Sequence, residues 1–261
     1  INKIIKNLEK SSRPLIIAGG GVRISEQTDN LYKLINKTSI PVVATWSCSD
    51  MFTDDNDLYF GKTGIGGNPC AVSAIQESDY ILALGTRFPT KVIMNEKYFA
   101  KDANITCVDI DQGELENSLI YIKEKINTDL NIFIPQLLNN VKNDIKKDNW
   151  IQHLTDKKEK KFKINAVSRD NKNYLNPYEL LQKLFSLLPH NSVIVPDCGC
   201  NLIWSVQSYS AKTGQRFFTS WGHSPMGYSL PAALGAWYAK KTSTIVGIIG
   251  DGGVQMNIQE L

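Results

Sequence analysis

The sequence predicts an α/β protein of two three-layer parallel-sheet domains, the second truncated. Short apolar runs of strand length alternate with stretches of helical periodicity. Several of the runs end in glycine or polar loops, as at Gly19-Gly20-Gly21, Gly85-Thr86-Arg87 and Gly250-Asp251-Gly252-Gly253. A stretch dense in Lys and Asn separates two such series.

In the first series, Ile1, Ile4, Ile5 and Leu8 lie at helical spacing, and Arg13-Pro14 breaks the helix. Leu15 to Ala18 is a buried strand and Gly19-Gly20-Gly21 a tight turn. Ile24 to Asn36 is a helix, with Ser25 as its N-cap and Leu31, Leu34 and Ile35 on one face. Pro41 to Thr45 is the next strand, completing a βαβ crossover. Cys48 to Gly67 is a loop by composition. Pro69 to Glu77 is a short helix with proline in its first turn. Tyr80 to Leu84 and Ile105 to Asp111 are strands, and a helix near Leu130 to Ile145 closes the domain. Lys123 to Lys163 reads as helical edge plus linker, anchored by Trp150, Leu154 and Phe162.

The domain boundary is expected between Asn165 and Asn176, giving domains 1–165 and 166–261. Asn176-Pro177-Tyr178-Glu179 is a helix start with a capping box. Leu180, Leu184, Leu187 and Leu188 are its expected apolar stripe. Ser192 to Pro196 is a strand, Asp197 to Asn201 a turn, Trp204 to Tyr209 a helix and Arg216 to Thr219 a short strand. Leu230 to Ala239 is a helix rich in small residues, and Thr244 to Ile249 is a strand. The loops 197–201, 220–227 and 250–253 follow strand ends or lead away from them. In a parallel sheet they converge on the carboxyl edge, where ligands bind.

The chain has 261 residues, 42% hydrophobic and 21% charged, a soluble globular balance. Its net charge of +3 is too weak to argue for nucleic acid. No run approaches the roughly 18 apolar residues of a membrane span, and Ile1 to Lys10 lacks a signal-peptide core. Five cysteines are too few and too irregular for a disulfide framework. Four of them, Cys48, Cys107, Cys198 and Cys200, lie in or near apolar runs and read as buried thiols, in keeping with a reducing, cytoplasmic setting. The first residue is not Met, and Leu261 stands inside a helical pattern. The chain is therefore expected to be a piece of a longer one.

Gly250-Asp251-Gly252-Gly253 follows a strand and precedes a helical segment. Small residues let backbone approach a phosphate, and amide groups at a helix start hold it. A carboxylate among them makes sense if a divalent cation, Mg²⁺ above all, lies between it and the phosphate. A plain β-turn is the other reading. Gly19-Gly20-Gly21 fails the dinucleotide fingerprint, since residue 24 is Ile and no acid follows at Thr45. Cys198-x-Cys200 is too close for a Cys-x-x-Cys pair. His223 has no acid beside it, but its loop lies at the ligand edge, so it is counted among residues facing a ligand. Met226 by itself reads as core.

These stretches resemble thiamine diphosphate enzymes. Gly250-Asp251-Gly252-Gly253-Val254-Gln255-Met256-Asn257-Ile258-Gln259-Glu260-Leu261 is similar to their diphosphate motif, in the form seen in acetolactate synthase large subunits. Met226-Gly227-Tyr228-Ser229-Leu230-Pro231-Ala232-Ala233 and Asp197-x-Gly199 resemble further segments of that domain. Arg13 to Gly21, Gly85-Thr86-Arg87-Phe88 and Val108 to Asp111 resemble the central domain. The resemblance implies thiamine diphosphate and Mg²⁺ as cofactors, with Asp251 as metal ligand. It implies Gly199, Cys200, Asn201, Gly250, Gly252 and Gly253 around the diphosphate, and Met226 as the wedge under the thiamine. The implied reaction is decarboxylation of a 2-oxo acid followed by carboligation, in a homo-oligomer. The glutamate that activates the cofactor and the second metal ligand are expected outside the chain, so these 261 residues alone are expected to be inactive. Cys200-Asn201 replaces the synthases' Gln-His, and Pro89, Thr90 and Lys91 replace an acid and an Arg near their FAD. FAD binding is thereby left open. A related ligase or decarboxylase of sugar or polysaccharide precursors, or a non-catalytic paralogue, stands as the alternative.

Overall fold

The computed structural model describes residues 1–159 and 175–261. It separates into two compact units, Ile1–Phe162 and Lys163–Leu261. The anchor Phe162 and most of the stretch expected to hold the domain boundary lie outside the described residues.

The first unit runs α1 (Asn2–Lys10), β1 (Pro14–Ala18), α2 (Gly20–Ile24), α3 (Thr28–Thr38), β2 (Val42–Ala44), β3 (Tyr59–Lys62) and α4 (Pro69–Glu77). It continues through β4 (Tyr80–Leu84), α5 (Thr90–Ile93), β5 (Asn104–Asp109), α6 (Gln112–Glu116), β6 (Glu124–Asn127), α7 (Leu130–Asn140) and α8 (Asp148–Glu159). Its sheet has the order β3-β2-β1-β4-β5-β6, and every pairing is parallel. This is the doubly wound order, with its switch point between β1 and β4. Strand β1 is buried throughout because each face has its own core. Ile16 and Ala18 join residues of α1, α3 and α7, whereas Leu15 and Ile17 join residues of α4 and α8. That alternation is the period of two of a strand covered on both sides. Trp150 of α8 is buried as expected, and its Nε1 donates to the Pro14 carbonyl at 3.0 Å.

Gly19-Gly20-Gly21 is not a turn: Gly19 caps α2, and the other two glycines open it. The reason is close packing at the switch point. A β-carbon on Gly19 would lie 2.2 Å from the Gly85 carbonyl oxygen, and one on Gly21 would lie 2.8 Å from Gly85 Cα. The helix expected over 24–36 is α3, which starts later, at Thr28, because Ile24 still belongs to α2 and Ser25 closes α2 instead of capping α3. Two parallel edge strands also replace expected irregular structure, β3 within the 48–67 loop and β6 within the linker stretch.

The second unit runs α9 (Pro177–Leu187), β7 (Val193–Pro196), α10 (Cys200–Ser208), β8 (Arg216–Phe217), α11 (Ser229–Ala239), β9 (Ile245–Ile248) and α12 (Asp251–Met256). Its sheet is parallel, in the order β8-β7-β9. Asn176 caps α9, its Oδ1 accepting from the backbone N–H of Tyr178 at 3.0 Å. The buried face of α9 is Leu181, Phe185 and Leu188, whereas Leu180 and Leu187 are exposed. The aromatic ladder sets this register. Phe185 meets Tyr209 edge-on, and Tyr209 stacks on Phe217. Helix α11 packs against β7 and β9. Its Trp237 and Tyr238 are exposed, as are Met256 and Ile258 beyond it. Among the described residues no helix is long and apolar enough to cross a membrane.

Candidate functional site

The site is built where β7 and β9 end. The backbone N–H of Asp197 donates to the Ile248 carbonyl at 2.8 Å, which ties the two strand ends together. The Asp197 side chain then turns inward, and the residue is 2% exposed. Its Oδ2 accepts from the Gly227 N–H at 2.9 Å. Its Oδ1 is buried with no hydrogen-bond partner among the described residues. Gly227 has φ +83°, a backbone conformation in which a side chain is strained. Its carbonyl accepts from Asn257 Nδ2 at 2.9 Å.

Gly250-Asp251-Gly252-Gly253 is a helix start: Gly250 is the N-cap and Asp251 the first residue of α12. Asp251 is exposed, and its Oδ1 accepts from the N–H of Gly252 at 2.9 Å. The glycines make room for neighbours from other elements. A β-carbon on Gly250 would lie 3.3 Å from Asn201 Nδ2, and one on Gly252 would lie 3.1 Å from Met226 Cε. A β-carbon on Gly253 would lie 2.2 Å from Asp197 Oδ2. Asn201, Met226 and the Gly250–Gly253 turn are thus brought together from three parts of the sequence.

Helix α10 begins at Cys200, four residues earlier than expected, with Gly199 as its cap at φ +73° and ψ −147°. A β-carbon on Gly199 would meet nothing within 4 Å, so this glycine serves backbone conformation and leaves open space above the helix start. Cys200 is exposed and Cys198 half-buried, which corrects the reading of both as buried thiols. Met226 is 52% exposed and is not a core residue. His223 is exposed and held through its backbone, its N–H donating to Ser220 O at 3.4 Å. The contacts that gather the other residues do not include it.

The helix start of α12 offers positive dipole and amide groups to an anion. Asp251 offers one exposed carboxylate beside it. Among the described residues no group of three His, Cys, Asp or Glu side chains is placed to hold a metal. A cation held by Asp251 would need further oxygen ligands beyond the carboxylates of the described residues, such as carbonyls, water or phosphate. Sequence reasoning missed two residues, Asp197 and Asn257, whose side chains join the loops. Both act on Gly227, which is 30 residues away from each.

In the first unit the acids at the end of β5 are spent locally. Asp109 accepts from the Asp111 N–H at 3.0 Å, and Asp111 caps α6 through the Glu114 N–H at 3.2 Å. Arg87, mostly exposed, pairs with Glu114 at 3.5 Å.

Residues 197–261, starting at Asp197 itself, match the family described as thiamine pyrophosphate enzyme, C-terminal TPP binding domain. Residues 1–137 match thiamine pyrophosphate enzyme, central domain. The chain belongs to the thiamine pyrophosphate enzyme family. Among individual relatives, it is 33% identical over 264 residues to the acetolactate synthase large subunit of Lactococcus lactis subsp. lactis (strain IL1403). It is 32% identical over 268 residues to the probable acetolactate synthase large subunit of Methanocaldococcus jannaschii. All of this chain is covered in both comparisons, and 45% of each relative. Over 262 residues, 97% of this chain, it is 31% identical to acetolactate synthase isozyme 2 large subunit of Escherichia coli (strain K12), again 45% of that protein. The chain thus spans a little under half the length of these thiamine pyrophosphate enzymes.

Proposed function

We propose that the full-length protein uses thiamine diphosphate and Mg²⁺ to decarboxylate a 2-oxo acid such as pyruvate and join the remainder to a second carbonyl, as an acetolactate synthase-type transferase. The observation that carries this is the α12 start, where exposed Asp251 stands beside glycines that admit Met226 and Asp197 at close range. On this reading residues 1–165 form the central domain and 166–261 the diphosphate-binding domain.

The residues present fit the cofactor. Asp251 would hold the metal, and the backbone of Gly250, Gly252 and Gly253 would hold the diphosphate. Gly199, Cys200 and Asn201 would border it from α10. Met226 would support the thiamine with an adaptable apolar side chain. When bound, the cofactor supplies the electron sink on which decarboxylation depends. This chain's part is to bind it, to hold the cation that would offset its charge, and to fix its orientation. His223 is retained only as a residue of the neighbouring loop.

FAD is left out of the proposal. Pro89, Thr90 and Lys91 stand where the resemblance puts an acid and an Arg of the flavin-containing synthases, so nothing in this segment supports it. Exposed Trp237 and Tyr238, in edge-to-face contact on α11, support a homo-oligomer as an apolar surface a second copy could cover. Unpaired cysteines support a cytoplasmic setting. Cys200-Asn201, in place of the Gln-His of the synthases, favours as second reading a related carboligase or decarboxylase with another acceptor.

The test is incubation of the full-length protein with pyruvate, thiamine diphosphate and Mg²⁺. Acetolactate as product supports the synthase. Acetaldehyde alone selects the decarboxylase reading, and no turnover with any 2-oxo acid overturns both.

A further inference from the structure

Among the described residues of the second unit, Asp197 is the charged residue that is fully buried. It is too deep to be the exposed metal ligand that Asp251 can be. Instead it touches two of the three segments that assemble the site. Its Oδ2 accepts from Gly227 N–H, and the same oxygen lies where Gly253 lacks a β-carbon. Asn257, just past α12, donates from the opposite side to the Gly227 carbonyl. Gly227 is therefore held at its N–H, in the peptide shared with Met226, by the β7 end, and at its C=O, in the peptide shared with Tyr228, by the α12 end. Met226, next in sequence, is carried to within van der Waals range of Gly252.

We propose that Asp197 and Asn257 are positioning residues, clamping Gly227 through the peptide groups on its two sides so that Met226 and the α12 start keep the geometry needed to bind diphosphate and metal. This rests on the cofactor reading given above and adds two residues to it. Neither side chain need touch the cofactor. Each acts through Gly227, a residue whose left-handed backbone leaves few other ways to hold it.

The experiment is calorimetric titration of the full-length protein with thiamine diphosphate in excess Mg²⁺, with ligand-free thermal unfolding alongside. Asp197→Ala and Asn257→Ala are each expected to weaken binding by about tenfold or more, the scale of a lost buried hydrogen bond. Asp197→Asn keeps an acceptor for Gly227 N–H and is expected to stay within about threefold of wild type. A merely structural role would lower the ligand-free melting temperature and leave affinity, measured well below it, unchanged. That result overturns the proposal, as does an Asp197→Asn loss as large as that of Asp197→Ala. Should Asp197→Ala not fold, Asn257→Ala decides, because it releases the same residue from the more exposed side. If the wild type does not bind the cofactor, the functional reading fails and the proposal falls with it. If the wild type binds and the alanine variants match it, the proposal alone fails.

Discussion

Oδ2 of Asp197 stands 2.2 Å from where a β-carbon on Gly253 would be. The carboxylate at the end of β7 and the glycine in the helix after β9, its neighbour in the sheet, are cut to fit each other. Alanine at an interior helix position is ordinarily favoured over glycine by about 1 kcal/mol. Here overpacking, typically about 1–3 kcal/mol, opposes that gain, and the clash is with an oxygen already fixed by Gly227. Gly253→Ala is expected to lower the melting temperature, with a smaller cost in an Asp197→Ala background. Thermal unfolding of the four proteins of the cycle measures the coupling, and simple additivity would contradict the contact.

The acid limit of the first unit has a named source in Asp79. Its carboxylate accepts from Ser11 Oγ and from the backbone N–H groups of Ser12 and Arg13, at 2.8 and 2.9 Å. Burial pushes its pKa up, but these hydrogen bonds outweigh it and hold the value below the ordinary 3.8. A carboxylate depressed in the folded state stabilises the fold above its unfolded pKa, and that stability is lost as pH falls through the folded value. Unfolding in urea from pH 6 to pH 2 is expected to show stability falling below about pH 4. Asp79→Asn should be less stable at pH 6 and show a flatter fall. An unchanged slope would contradict the assignment.

Thiol reactivity should divide the cysteines by place. Burial pushes Cys48 and Cys107 up to about 12 and Cys70 to about 11, so these thiols are expected to be inert in the native protein. Cys200, exposed at the start of α10, should be alkylated first, and thiamine diphosphate with Mg²⁺ should slow its labelling. Mass spectrometry of peptides after brief alkylation reads both effects. Native labelling of Cys48 ahead of Cys200 would contradict the fold, and absence of protection would argue against the cofactor lying beside α10.

The interior strands were legible in the sequence because burial on both faces makes them unbroken apolar runs, as in Leu15-Ile16-Ile17-Ala18. The edge strands of the first unit were not. Tyr59–Lys62 and Glu124–Asn127 carry glycine, lysine and glutamate, which composition assigns to loops, and their pairing is set by neighbours distant in sequence. The glycine runs after β1 and β9 read as turns because glycine is a turn residue. In the structure they open helices, the glycines answering close approach by Gly85 in one case and by Met226 and Asp197 in the other. Of the leucine stripe expected on α9, Leu188 is buried and Leu184 half-buried, but Leu180 and Leu187 are exposed, because the buried face runs through Leu181 and Phe185, which meets Tyr209. At the site, the Gly-Asp-Gly-Gly motif and Met226 were visible as patterns. The roles of Asp197 and Asn257 were not, because each is defined by a hydrogen bond to a residue 30 positions away.

The central claim is that Asp251 binds a divalent cation that bridges to a bound diphosphate. It is tested most directly by calorimetric titration of the full-length protein with thiamine diphosphate, with Mg²⁺ and with EDTA, for wild type and Asp251→Ala. Asp251 is exposed at the start of a helix, so the variant is expected to fold with little change in melting temperature. Binding that requires Mg²⁺ in the wild type and is lost in folded Asp251→Ala is the predicted result. Binding that ignores Mg²⁺, or that survives the substitution, would contradict it.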